Sequence, residues 1–245
     1  MATLLPDVPR FFCATLPHPR LTGQRCVLDE QESRHAKRVL RLSAGAAIEL
    51  FDGHGGLAQA ELESYQSGLA VCRIVNVAVH PRVEPLVTLA TAIPKGGRAD
   101  DMVQQLSQAG VDRLIPLQSQ RSSVTPRQAK LDRFARQAVE SAKQCGRLFI
   151  MELTPPQPLE AVLAMEADLK LLADPRGDTP ANLPQRLQEA RHVLVLVGPE
   201  GGWTPPERLA ATTANCLLWS MGPYVLRVET AATAAAVLVR YLAGR

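Results

Sequence analysis

Val193-Leu194-Val195-Leu196-Val197-Gly198-Pro199-Glu200-Gly201-Gly202-Trp203-Thr204-Pro205-Pro206-Glu207 is the stretch whose reading decides the fold. Five consecutive apolar residues read as a strand buried on both faces. Glycines and a proline then break the pattern. Thr204 is a natural N-cap, Pro205 suits the first helical position, and Glu207 completes a capping box. A glycine-rich loop thus leaves the carboxyl end of a buried strand and opens a helix. Open α/β sheets bind ligands at that place. The glycines either let backbone approach a ligand or serve only the dihedrals of a turn. No Gly-Lys-Ser/Thr follows, so this is not a phosphate-cradling Walker loop.

Outward from this stretch the pattern repeats. Leu86–Ile93, Leu114–Leu117 and Leu169–Ala173 are further buried strands. Asp100–Ala109 places Met102, Val103 and Leu106 on one helical face. Leu131–Cys145 buries Phe134, Ala138, Val139 and Ala142, and Gly146 ends it. Cys216–Ser220 is a strand that runs into Met221-Gly222-Pro223, and Glu229–Leu242 is an alanine-rich helix. Apolar strands alternating with helices predict a parallel sheet covered on both faces. The first 80 residues differ. Ala47–Phe51, Leu57–Leu62 and Leu69–Val79 alternate with period two, one helix spans about Glu32 to Leu42, and a small β-rich barrel or sandwich is predicted. Asp52-Gly53-His54-Gly55-Gly56-Leu57-Ala58 carries a nominal GxGxxA, but a strand follows it, so it reads as a hairpin turn. The proline-bearing stretch 80–85 is the expected linker.

The chain has 245 residues, 46% apolar and 21% charged, with no apolar run near bilayer length. Disorder, a coiled coil and a membrane span are excluded. The N-terminus does not read as a signal peptide, so a cytoplasmic address is expected. Five cysteines and five histidines are scattered singly, which argues against a disulfide framework or a metal site. Residues 1–85 hold nine basic and nine acidic side chains, residues 86–147 ten and five, and residues 148–245 eight and ten. A basic middle suits a polyanionic partner, or it is an ordinary solvated surface.

Arg34, Lys37, Arg38 and Arg41 recur at helical spacing, with Val39, Leu40 and Leu42 on the other side. They form either a solvated face or a phosphate-contacting one. Lys95, Arg98, Arg121 and Arg147 each follow an element, and a parallel sheet would gather several of them beside the glycine loops. Arg227 and Glu229 fall where the loop after Ser220 meets the last helix, and Glu229 also suits the helix N-terminal dipole. Trp203 is either the aromatic nearest a ligand or a half-buried packing residue. There is no Ser-His-Asp order, no metal cage and no cysteine with a nearby base. What remains is group transfer in which a cofactor supplies the reactivity.

Two loops carry a family resemblance. Gly198-Pro199-Glu200-Gly201-Gly202, followed by Met221-Gly222-Pro223-Tyr224-Val225-Leu226-Arg227-Val228-Glu229-Thr230, resembles the RsmE family. These are bacterial 16S rRNA (uracil-N3)-methyltransferases of the SPOUT superfamily. Val8-Pro9-Arg10-Phe11-Phe12, His35 through Leu42, Leu50-Phe51-Asp52-Gly53, Pro94-Lys95-Gly96, Ala109-Gly110-Val111-Asp112, Pro116-Leu117, Arg121-Ser122 and Gln144-Cys145-Gly146-Arg147 match in order. The chain departs from the family pattern at Tyr224, where arginine is usual, and at Val228, Gln108-Ala109 and Gln120.

The resemblance implies an α/β fold: a SPOUT-type parallel sheet over 81–245, with a deep C-terminal trefoil knot at about 170–245, plus a PUA-like RNA-binding β-barrel over 1–80. It implies S-adenosyl-L-methionine as cofactor, held by Leu172, Gly198, Glu200, Gly201, Gly202, Met221, Gly222 and Leu226, and no metal. It implies a homodimer acting on 16S rRNA of the small ribosomal subunit near the decoding site, with neither DNA nor membrane as partner. Arg38, Arg41, Lys95, Arg98, Arg121 and Arg147 would contact RNA. Uracil N3 must lose a proton to become nucleophilic. Arg227 would stabilise the anion, and Glu229 would accept the proton or orient Arg227. The alternatives are a related SPOUT enzyme with another RNA target and a non-catalytic RNA-binding assembly factor.

Overall fold

A computed structural model describes residues 8–16 and 23–244. Residues 1–7, the start of the stretch read as lacking a signal peptide, lie outside the described residues. The chain forms two compact units, Met1–Arg82 with Val139–Ile150, and Val83–Ala138 with Met151–Arg245. The break after Arg82 falls inside the 80–85 stretch. Residues Val139–Ile150 differ from the expectation of one domain over 81–245. Backbone bonds draw them to the first unit: Gly55 N–H donates to Leu148 O at 3.2 Å and Ile150 N–H to Gly53 O at 3.1 Å. Lys143 Nζ lies 2.7 Å from the buried Glu32 carboxylate. Burial pushes the Glu32 pKa up, against the pull of Lys143.

The first unit holds β1 (Arg10–Phe12), β2 (Arg25–Val27), α1 (Glu30–Arg34), β3 (Ala47–Phe51), β4 (Gly56–Gln66) and β5 (Leu69–Val79). The sheet order is β1-β3-β4-β5-β2, antiparallel except for β1 beside β3. Alternate residues of these strands, Ile48, Leu50, Leu62 and Ile74 among them, bury one core with Phe11 and Leu28. The turn after β3 is the hairpin expected. Asp52 Oδ1 accepts the N–H groups of His54 and Gly56 at 2.7 and 2.9 Å, and β4 follows directly.

The helix expected over Glu32–Leu42 is present from Glu30 to Val39 but changes its winding at His35. α1 is capped by the Asp29 carboxylate and ends at Arg34, and His35–Val39 is a π-helical turn. Arg41 adopts φ 54°, outside any helix. Val39 is 65% exposed and Leu40 is also exposed, while Ala36 and Leu42 pack on the core. Lys37 Nζ sits 5.1 Å from the Tyr65 ring centroid. Arg41 therefore lies off the helical backbone that carries Arg34, Lys37 and Arg38, and all four side chains are exposed.

The second unit holds β6 (Leu86–Thr91), α2 (Arg98–Gln108), β7 (Arg113–Gln118), the start of α3 (Gln128–Cys145), β8 (Glu152–Leu153), β9 (Gln157–Pro158) and α4 (Leu159–Leu163). It continues through β10 (Leu169–Asp178), α5 (Leu183–Glu189), β11 (His192–Val197), α6 (Pro205–Thr213), β12 (Cys216–Trp219) and α7 (Val228–Leu242). The sheet order is β12-β10-β11-β6-β7-β8, with every pair parallel. Leu194 and Leu196 of β11 pack with Leu159, Val162 and Ala211 of α4 and α6. The alternating Val193 and Val195 point to the other face. There α7 packs on β6, β11, α2 and α5. Its alanines at 231, 232, 235 and 236 are buried, which allows the close approach. Both faces are covered, as the continuous apolar strands require.

Candidate active site

The carboxyl ends of β10, β11 and β12 surround a cavity of about 350 Å³. The irregular stretch of β10 from Asp174 and two loops, from Gly198 and from Ser220, line it together with Arg121, Arg208 and the start of α7. The capping box places the loop from Gly198. Thr204 N–H and Oγ1 both donate to Glu207 Oε2, at 2.8 and 2.9 Å. Glu207 Oε1 accepts the Gln120 N–H at 2.8 Å, so one buried carboxylate ties the loop after β7 to the glycine loop. Beside it, Arg121 Nη1 donates to Gly201 O at 2.6 Å.

Trp203 is buried and forms a wall of the cavity, with Nε1 donating to Ala173 O at 2.9 Å. A Cβ on Gly198 would stand 2.9 Å from Trp203 Cε2. Glycine at 198 is therefore required by the indole, a packing reason distinct from ligand approach. Gly222 has φ +140°, and a Cβ there would meet nothing within 4 Å, so its backbone faces open space at the cavity.

Seven of the eight residues implied for the cofactor line this cavity: Gly198, Glu200, Gly201, Gly202, Met221, Gly222 and Leu226. Leu172 does not; it is fully buried in the core beneath, against α4 and α6. Arg227 is the N-cap residue of α7, with an exposed side chain outside the lining. The Glu229 carboxylate meets Arg98 at 3.4 Å, so the structure pairs it with Arg98. Of the expected RNA contacts, Arg121 is in the cavity wall, Arg98 is this ion-pair partner, and Lys95 is exposed before α2. Arg38, Arg41 and Arg147 belong to the first unit.

Asp174, Arg176 and Arg208 line the cavity and were not among the residues read from the sequence. The signal for Asp174 and Arg176 was present: Asp174-Pro175-Arg176-Gly177 follows the apolar run Leu169–Ala173 just as Gly198 follows Val193–Val197. Asp174 Oδ1 accepts the Arg176 N–H at 2.9 Å. Asp174 Oδ2 is buried, accepts no hydrogen bond, and lies 3.6 Å from Arg208 Nη1.

Residues 82–240 match the RNA methyltransferase domain family, and residues 28–75 match the RNA methyltransferase PUA domain family. Fold and matches together define the class, an RNA methyltransferase domain joined to a PUA domain. The ribosomal RNA small subunit methyltransferase E of a Synechocystis strain is 33% identical over 88% of this chain and 72% of its own length. The protein of that name from Mycobacterium bovis is 29% identical over 96% of this chain and 92% of its own. The Neisseria gonorrhoeae ribosomal RNA small subunit methyltransferase E, solved with S-adenosyl methionine bound, superposes with a TM-score of 0.85. It is 29% identical, covering 96% of this chain and 98% of that one. This chain belongs to the ribosomal RNA small subunit methyltransferase E family.

Proposed function

We propose that the protein transfers a methyl group from S-adenosyl-L-methionine to N3 of a uridine in 16S rRNA, near the decoding site of the small ribosomal subunit. The observation that carries this reading is the glycine-loop cavity at the carboxyl edge of the parallel sheet, in a chain of this family. The cavity suits the cofactor in size, since small-molecule sites begin at roughly 300 Å³. It also suits it in lining: open backbone at Gly202 and Gly222, an apolar wall from Trp203 and Leu226, and the Asp174 carboxylate.

When bound, the cofactor supplies an electrophilic methyl on a sulfonium. The chain's own task is positioning and charge control. Arg121 and Glu207 hold the glycine loop. Arg227, immediately after the cavity residue Leu226, is assigned to stabilise the uracil anion left when N3 loses its proton. Glu229, anchored by Arg98, keeps one buried oxygen without a hydrogen bond and is the assigned proton acceptor.

The reading includes a deep trefoil knot at about 170–245. Its support is that β11 lies between β10 and β6 while β12 lies beyond β10, with their following loops over one cavity. It includes a homodimer, supported by Val237 and Tyr241, one helical turn apart on α7 and 50% and 75% exposed. It includes a cytoplasmic address, where the free thiols of Cys13, Cys26, Cys72, Cys145 and Cys216 would stay reduced. The first unit and the basic side chains Arg38, Arg41, Lys95 and Arg147 are assigned to the RNA backbone.

The test is methyl transfer by the purified protein to small subunits lacking the modification, followed by mapping of the modified nucleotide. A single 3-methyluridine in 16S rRNA is expected. A methylated nucleotide elsewhere, or none, overturns the reading.

A further inference from the structure

Asp174 stands apart from the other charged residues of the cavity. It is 5% exposed, directly follows Ala173 on β10, and uses Oδ1 to accept the N–H of Arg176, two residues on. Among the described residues Oδ2 has no hydrogen bond; it is buried and ion-paired with the Arg208 guanidinium at 3.6 Å. Arg208 Nη1 is held away by the Trp203 carbonyl, to which it donates at 2.6 Å. A buried carboxylate oxygen without a hydrogen-bond donor is costly, and each such atom in a native structure calls for an explanation.

We propose that Asp174 is a cofactor-binding residue of this chain: its Oδ2 accepts a hydrogen bond from a donor group of the bound cofactor, with Arg208 fixing the carboxylate in place. The inference rests on the S-adenosyl-L-methionine reading. Two kinds of donor are available on that molecule. One is the α-ammonium of the amino-acid end, and the other is a hydroxyl or amino group of the nucleoside.

The test is calorimetric binding of S-adenosylhomocysteine and of 5′-methylthioadenosine to wild type and to Asp174→Asn, with melting temperature measured without ligand. Asparagine keeps the Oδ1 acceptor for Arg176 and puts a donor where Oδ2 was. S-adenosylhomocysteine should bind roughly 10- to 100-fold more weakly, the scale for a hydrogen bond to a charged group. The ligand-free melting temperature should change little, because loss of the Arg208 contact is offset by removal of a buried charge. A deficit confined to S-adenosylhomocysteine assigns the α-ammonium, and a deficit shared by 5′-methylthioadenosine assigns the nucleoside half. Should the asparagine variant not fold, Asp174→Ser keeps an acceptor and carries the same readout. Unchanged affinity for both ligands, or a large fall in ligand-free stability in both variants, overturns the inference and makes Asp174 structural. Failure of the wild type to bind either ligand would instead overturn the cofactor reading.

Discussion

Glu229 Oε1 lies 3.4 Å from Arg98 Nη1, joining the first turn of α7 to the first turn of α2. The pair is partly exposed, so its contribution to stability is under about 1 kcal/mol. Its consequence is positional. Arg98 holds the carboxylate that begins the helix immediately after the cavity loop.

Arg98→Ala should therefore behave as a catalytic-loop variant and not as an RNA-binding one. Its methyl transfer should fall, while the slope of log RNA affinity against log salt stays unchanged. A true phosphate contact would remove roughly 0.7–0.9 from that slope. Glu229→Gln should lower methyl transfer, and the double variant should be no worse than Glu229→Gln, because the two act as one unit. Additive losses would separate the two residues.

Gly198→Ala tests the packing reason for the first glycine of the loop. The added methyl stands 2.9 Å from Trp203 Cε2, so the indole must move and its bond to Ala173 O weakens. A stability loss of about 1–3 kcal/mol is expected from overpacking, together with weaker cofactor binding. Thermal melting and calorimetry read both. By contrast, Lys95→Ala, at an exposed position before α2, should leave both unchanged.

The sheet and its site were legible because both rest on local signals. Val193–Val197 is apolar at every position, and Thr204-Pro205-Pro206-Glu207 carries a complete capping box, so strand, loop and helix announce themselves in fifteen residues. The pairing of Glu229 with Arg98 was not legible. It joins two residues 131 positions apart in sequence, and no spacing rule covers that. Leu172 is one residue before the cavity edge and its side chain points into the core, a distinction of strand alternation and register that a motif match does not make. The course of the backbone from Arg34 to Arg41 was not legible for a different reason. The spacing of the basic residues is helical, but the backbone passes through a π-helical turn and reaches a left-handed Arg41.

Asp168 gives the pH dependence. Its carboxylate accepts the N–H groups of Arg191 and His192, both at 2.8 Å, and these bonds hold its pKa below the usual carboxylate range. A carboxylate with a depressed folded pKa contributes stability that is present above its unfolded pKa. That stability is lost as pH falls through the folded value. Asp168→Asn should lower the melting temperature by a few degrees at pH 7, about 1 kcal/mol at most after solvent screening. The gap between variant and wild type should close as the pH is lowered below 4. A gap that persists unchanged in acid would show that the charge plays no part.

Arg227 separates positioning from chemistry. Its backbone begins α7, with its carbonyl accepting the Ala231 N–H at 2.7 Å, and its side chain is exposed beside the cavity residue Leu226. A side chain outside the cavity lining contributes little to cofactor affinity. One that meets the uracil anion contributes in the transition state. Arg227→Ala should bind S-adenosylhomocysteine as the wild type does. Its single-turnover methyl transfer should fall roughly 10²–10³-fold, the scale of one lost oxyanion donor. Arg227→Lys should recover part of the rate, since a point charge replaces the planar fork imperfectly. Raising the pH should narrow the gap for Arg227→Ala, because solvent base then shares in removing the N3 proton. If cofactor affinity fell in proportion to the rate, Arg227 would belong to the cavity wall. The anion would then need another cation, and Arg121, already held at the glycine loop by Gly201 O, is the next in reach.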